Sequence, residues 1–226
     1  MSSGTRHPGA EQWARVDAYV EEHFTAADAT AALVLQRQRE ASLPDIAVSA
    51  AQGKLLEVLT LAVGARRVLE FGTLGGYSTL WFARAVGEGG AVVSFELLPD
   101  HAEVARASLA EAGVGERVEV RVGPAADNLD TLTRDDPYDL VFIDADKPSN
   151  VTYYEAAMTR VHPGTLVIVD NVVRDGALAD PDDTDERVIG SRAIVERVGA
   201  DPRVSGSVVQ TVGAKFYDGM IIATVL

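Results

Sequence analysis

The 226-residue chain contains no cysteine. Disulfides and thiolate metal sites are excluded by that alone, and a reducing cytoplasm is the expected location. Basic residues are scarce: 20 Lys and Arg stand against 34 Asp and Glu, for a net charge of −14. Nucleic acid and anionic membranes both need a basic footprint, so neither is an expected partner. No stretch approaches the roughly 20 uninterrupted apolar residues of a membrane span. The opening MSSGTRHPGAEQW has no apolar run of the signal-peptide kind, so no such leader is expected. The four histidines, His7, His23, His101 and His162, have no metal-ligand spacing and are given no role.

What the chain does have is an apolar content of 47%, enough for the core of one ordinary domain. Its first ten residues are small and polar, and are expected to fray. From Glu11 to about Ala41 the pattern is helical, with Trp13, Val16, Val20 and Phe24 at three- and four-residue spacings. Pro44-Asp45-Ile46 breaks it, and Ser49 is the expected N-cap of a helix carrying Leu55, Leu56, Leu59 and Leu61. The chain thus divides into a helical segment, 1–45, and a main domain, 46–226.

The rhythm then changes. Short apolar runs, Val68–Phe71, Ala91–Phe95, Val118–Val122, Leu140–Ile143 and Leu166–Val169, alternate with amphipathic stretches such as Ser78–Val86 and Asp100–Ala112. Alternation of this kind predicts an α/β fold with a mostly parallel, doubly wound sheet and crossover helices. Val204–Thr211 and Phe216–Val225 follow one another without a helix, which predicts an antiparallel hairpin at the sheet edge. Trp13 and Trp81 fall on apolar helix faces and read as packing residues.

Open α/β sheets bind ligands beyond the carboxyl ends of their strands. Here those ends carry Glu70-Phe71-Gly72-Thr73-Leu74-Gly75-Gly76-Tyr77-Ser78, then Glu96, Asp144-Ala145-Asp146-Lys147, and Asp170-Asn171. The glycines let backbone approach a ligand where a Cβ would clash. Their spacing is not the G-x-G-x-x-G of dinucleotide folds. Glu96 stands where an acidic residue accepts hydrogen bonds from ribose hydroxyls. Taken singly, a glycine turn is also a tight connection and a strand-end glutamate a solvated charge; the pair favours an adenosine ligand. Asp144, Asp170 and the Asn171 amide are oxygen donors, the chemistry preferred by Mg²⁺, Mn²⁺ or Ca²⁺. Each alone also suits a turn or a helix cap.

Assembled in this order, the residues resemble the cation-dependent O-methyltransferases of the catechol and caffeoyl-CoA type, from about Ala47 to the C-terminus. The most specific stretches are Val68–Thr73 with Gly76-Tyr77-Ser78, Phe142–Lys147, and Val167–Asn171. The resemblance implies a seven-stranded Rossmann-like sheet, S-adenosylmethionine as methyl donor, a divalent cation (Mg²⁺ foremost), a small aromatic acceptor with vicinal hydroxyls, and a homodimer. It implies that Asp144, Asp170 and Asn171 hold the metal, with Asp144 and Lys147 catalytic and Lys147 the general base. Glu96 would hold the ribose. Val48, Glu70, Gly72, Thr73, Gly76, Ser78 and Ala125 would line the donor pocket, with Asp144 and Asp146 in contact with the donor. Residues 1–45 would cap the acceptor or meet a second subunit. Asn150, where many relatives have tyrosine, and Asp175, where the plant enzymes have asparagine, depart from the pattern and bear on acceptor identity. The alternatives are a nicotinamide-dependent dehydrogenase on a similar sheet and a donor-binding module without catalysis.

Overall fold

Blocks of branched and aromatic residues, too short for a stable helix, gain most by pairing side by side. In the computed structural model, which describes residues 8–26, 28–128, 132 and 136–226, five such blocks form parallel strands. These are β1 (Arg67–Phe71), β2 (Ala91–Glu96), β3 (Val118–Val122), β4 (Tyr138–Ile143) and β5 (Val161–Val169). The hairpin strands β6 (Val204–Gly213) and β7 (Phe216–Val225) complete a seven-stranded sheet of order β3-β2-β1-β4-β5-β7-β6. β7 runs antiparallel to both β5 and β6, so the second hairpin strand lies inside the sheet and the first forms its edge.

Side chains alternate between two cores. Val68, Val92, Leu140 and Phe142 face a layer built with Leu56 of α3 (Ala50–Ala62), Trp81 of α4 (Tyr77–Ala85) and Leu109 of α5 (Pro99–Glu111). Leu69, Val93, Val141 and Ile143 face the opposite layer, with Tyr154 of α7 (Asn150–Ala157) and Ile194 of α8 (Glu186–Gly199). Covering both faces explains why the β4 and β5 sequences are continuously apolar.

The helical pattern expected over Glu11–Ala41 is two helices, α1 (Ala10–Phe24) and α2 (Ala29–Glu40). Asp28 makes the break. Its carboxylate caps α2 by accepting from the Ala31 amide at 2.8 Å, and it is gripped by the Arg84 guanidinium at 2.5 and 2.9 Å. An aspartate fits a helical face as readily as a cap, so periodicity alone runs through it. α2 adds Ala31 and Val34 to the core, whereas α1 buries no residue. The tip of the β6–β7 hairpin reaches this N-terminal region: the Ala214 amide donates to Asp17 at 2.7 Å, and Lys215 pairs with Asp45 at 3.2 Å. Residues 1–7 of the polar N-terminal stretch lie outside the described residues.

Two features of this topology place a site. The chain steps outward from β1 through β2 and β3, then returns to build β4 and β5 on the other side. The crevice between the carboxyl ends of β1 and β4 is therefore the switch point where such sheets bind ligands. Because β7 is antiparallel, its first residues, not its last, lie at that same end. Among the described residues no helix is long and apolar enough to cross a membrane.

Candidate active site

The chain leaves β1 through a turn that only glycine can make. Gly72 has φ +99°, and a Cβ there would lie 2.2 Å from the backbone oxygen of Asp144. β1 and β4 are thus sutured at the switch point, with the Asp144 amide donating to Phe71 O at 2.8 Å. Leu74 is held in the left-handed region at φ +48°. Its amide donates to Glu96 Oε2 at 2.7 Å, while Glu96 Oε1 accepts from the Leu98 amide at 3.0 Å. Glu96 is buried at the end of β2, one oxygen held by the turn and the other by the Leu98 amide, with His101 Nδ1 3.5 Å from that second oxygen. Gly76, at φ +87°, opens α4 without a side-chain cap, which leaves the first amides of that helix facing the turn.

Beneath the turn lies Glu70, fully buried in the last turn of β1's pleat. Ser78 Oγ donates to its Oε1 at 2.5 Å, and Thr79 and Ser94 (2.7 Å) donate to its Oε2. Ser94 Oγ is in turn 2.6 Å from Thr73 Oγ1. Burial pushes the Glu70 carboxyl up to about 7, against the pull of the three hydroxyls, with the Asp144 charge adding to the rise. The structure therefore brings Glu70, Thr73 and Ser78 into one network, with Gly72 and Gly76 in the turn above. Thr79 and Ser94 were not singled out by sequence reasoning; Ser94 had a signal, as the one polar residue inside an apolar strand. Val48 and Ala125 are buried apolar positions, one just before α3 and the other opening α6 (Ala125–Asn128). A cavity of about 260 Å³ between α2, the 43–50 segment and the hairpin tip is lined by Leu35, Gln38, Pro44, Val48, Ser49 and Lys215.

The second half of the site is charged. After β4 the chain passes Asp144 and enters a 3₁₀ turn at Lys147–Ser149. Lys147 Nζ donates to Asp144 Oδ1 at 2.9 Å, and the Lys147 side chain is 8% exposed. α8 presses on this turn from behind, since a Cβ on Gly190 would lie 2.3 Å from Lys147 O. Asp146 points elsewhere: it is exposed and accepts from the Tyr153 hydroxyl at 2.6 Å. Burial and that carboxylate push the Tyr153 hydroxyl up to about 12, and its ring stacks on Phe71 at 4.8 Å.

Asp170, 2% exposed, immediately follows β5. Its Oδ1 accepts from the Asn171 amide at 2.8 Å, and its Oδ2 accepts from Gln52 of α3, a residue sequence reasoning passed over. Burial, and then the charge of Asp144, push the Asp170 carboxyl well above the ordinary range, while Lys147 pulls it down. Asn171 adopts φ +55°. Asparagine tolerates the left-handed region, and a residue there ends the strict alternation of a strand, so consecutive side chains can serve one site.

Among the described residues no three His, Cys, Asp or Glu side chains gather as a metal cage. The candidate set is two carboxylates and one amide, and it fits a hard cation: the donors are all oxygen. The mutual repulsion of Asp144 and Asp170 is the feature a cation would relieve. The glycine turn likewise fits a donor that approaches backbone closely, beside a buried acid at the end of the neighbouring strand.

Comparison with known proteins identifies the family. The O-methyltransferase family model covers residues 21–224. A catechol O-methyltransferase of Mycobacterium tuberculosis is 48% identical over 211 residues, 93% of this chain and 94% of that protein. The crystal structure of an O-methyltransferase from Bacillus cereus in complex with SAH superposes with a TM-score of 0.93 at 46% identity, covering 96% of this chain and 100% of that one. The O-methyltransferase TomG of Streptomyces achromogenes, involved in tomaymycin synthesis and solved with SAM, gives 0.92 at 44% identity, covering 97% and 99%.

Proposed function

The chain belongs to the O-methyltransferase family and is an S-adenosylmethionine-dependent enzyme; from that premise we propose that it methylates one hydroxyl of a small vicinal dihydroxy aromatic with the help of a divalent cation. The observation that supports this reading is the meeting of Asp144, Lys147 and Asp170 at the switch-point crevice, beside the glycine turn, with the Asn171 backbone amide on Asp170. The family match sets aside the nicotinamide-dehydrogenase alternative.

In this reading Asp144, Asp170 and Asn171 hold the cation. When bound, it supplies Lewis-acid stabilisation of an ionised oxygen and a template for two adjacent oxygens. Lys147 receives the acceptor hydroxyl's proton at Nζ, from a position fixed by Asp144 and by the packing of α8 on its carbonyl. Glu96 binds the donor's ribose, and the 72–78 turn seats its amino-acid end. The donor supplies a methyl on a sulfonium centre, already activated for displacement. The remaining task of the chain is to hold acceptor and donor in line, a contribution worth up to ~7–11 kcal/mol. The cavity walled by α2 and the 43–50 segment reaches Val48, one of the residues that line the donor pocket in this reading.

The test is a turnover screen with labelled donor over vicinal dihydroxy aromatics and monohydroxy controls, with Mg²⁺ and with excess chelator. Label transfer to the dihydroxy compounds alone, dependent on Mg²⁺, is expected. Undiminished transfer in chelator would remove the metal. Donor binding with no transfer to any compound would leave a binding module.

A further inference from the structure

We infer that Asp218 is a positioning residue for the candidate cation site: its carboxylate clamps the loop that carries Asn171. The inference rests on the metal reading above for its consequence, and on the fold alone for its geometry.

The loop that follows β5 is under backbone strain. Asn171, Arg174 and Asp175 all have φ between +55° and +57°, and Gly176 has φ +87°. Three non-glycine residues in the left-handed region, within five positions, each cost free energy and persist only where surroundings hold them. The holding is done by the start of β7. Asp218 Oδ1 accepts from the Val173 amide at 3.0 Å and the Arg174 amide at 2.9 Å, as well as from its own neighbour Gly219 at 2.9 Å. The Val172 amide donates to Gly219 O at 2.9 Å. The Tyr217 ring lies against Gly176, where an added Cβ would sit 3.5 Å from Cε1. Three successive residues of β7 therefore grip positions 172, 173, 174 and 176.

The antiparallel direction of β7 brings its first residues to this loop. Parallel strands begin at the far end of the sheet, so none of their first residues reaches this loop. The second Asp218 oxygen has no hydrogen-bond partner among the described residues; the first serves the Val173 and Arg174 amides of the loop together with the Gly219 amide. Charge-assisted bonds to backbone amides are about twice as strong as neutral ones, which suits a carboxylate to a strained segment. Asp218 touches neither of the candidate carboxylate ligands; it acts through the backbone immediately after Asn171.

The test compares Asp218→Ala with Asp218→Asn in the full chain. Asparagine keeps an oxygen at the accepting position and is expected to rescue most of the effect. Hydrogen–deuterium exchange of the free protein reads the clamp directly. For Asp218→Ala, faster exchange confined to residues 171–176 is expected, with the strands unchanged; faster exchange everywhere, or no change, overturns the clamp. Mn²⁺ titration of the donor-free protein, by calorimetry or electron paramagnetic resonance, reads the consequence. Asp218→Ala is expected to weaken Mn²⁺ by about tenfold or more, as loss of outer-sphere support does elsewhere, and Asp218→Asn by much less. Unchanged Mn²⁺ affinity in Asp218→Ala with the loop loosened overturns the positioning role. If the unsubstituted protein binds no Mn²⁺, the metal reading fails, and the exchange data alone decide whether the clamp exists.

Discussion

The side-chain amide of Gln52 donates to Asp170 Oδ2, joining the first turn of α3 to the end of β5 across 118 positions of sequence. With the Asn171 amide on Oδ1, both oxygens of a buried carboxylate are engaged before any ligand arrives. The carboxyl is nonetheless raised, because hydrogen bonds do not cancel burial and the facing charge of Asp144. Asp170→Asn removes that repulsion while keeping the shape. The metal-free variant is expected to melt higher than the parent, by about 2–4 °C for each kcal/mol relieved. Mg²⁺-stimulated turnover should be lost in the same protein. A lower melting temperature together with full Mg²⁺ response would contradict both halves.

Lys147 faces Asp144 both as an ion pair and as the proposed proton acceptor, and the two roles separate by substitution. Lys147→Arg preserves the charge but installs a group that does not deprotonate in proteins. A fall in kcat of about 10²–10⁴ is expected for both Lys147→Arg and Lys147→Ala, with donor affinity largely kept. Near-normal kcat in the arginine variant would reduce Lys147 to an electrostatic partner.

Glu70 supplies a pH signature of the donor-free fold. Burial pushes its carboxyl up to about 7 in the folded chain, against about 4.5 for a glutamate free in water. Between those values the folded state keeps a proton that the unfolded chain has released. Its contribution therefore declines as pH rises from about 4.5 to 7 and stays low above that. Glu70→Gln cannot ionise, so its stability relative to the parent should grow across this window, by at most about 3 kcal/mol. Urea unfolding at several pH values measures the difference; a flat difference would mean that Glu70 ionises normally inside the protein.

Gly72→Ala meets two obstacles at once, a φ of +99° and the Asp144 carbonyl. Overpacking of this kind costs about 1–3 kcal/mol before strain is added, or roughly 2–12 °C at this chain length. Thermal unfolding should register the loss, accompanied by weakened S-adenosylhomocysteine binding. An alanine variant with parental stability and affinity would show that β1 and β4 part easily.

Much of this architecture could be read in advance because burial on both faces writes itself into short, continuously apolar runs such as Leu140–Ile143. Glycines and acids at the ends of those runs then marked the ligand side. What stayed hidden depends on distant partners. Gln52 sits one turn into a helix and looks like any solvated position until β5 is laid beside it. Thr79 and Ser94 become a pair only around Glu70. Asp218 belongs to a strand whose reversed direction, rather than its composition, delivers it to the loop after β5. Asp28 marks a helix break that the apolar spacing of its neighbours runs straight through.

The contacts of Asp17 with Ala214 and of Asp45 with Lys215 make the two ends of the polypeptide mechanically dependent. A fragment trimmed to begin near residue 46 would release the tip of the terminal hairpin, which leads directly into Tyr217, Asp218 and Gly219. Shortening the protein at its front would thus slacken a turn more than 120 residues further along, and a minimal version for engineering must keep both.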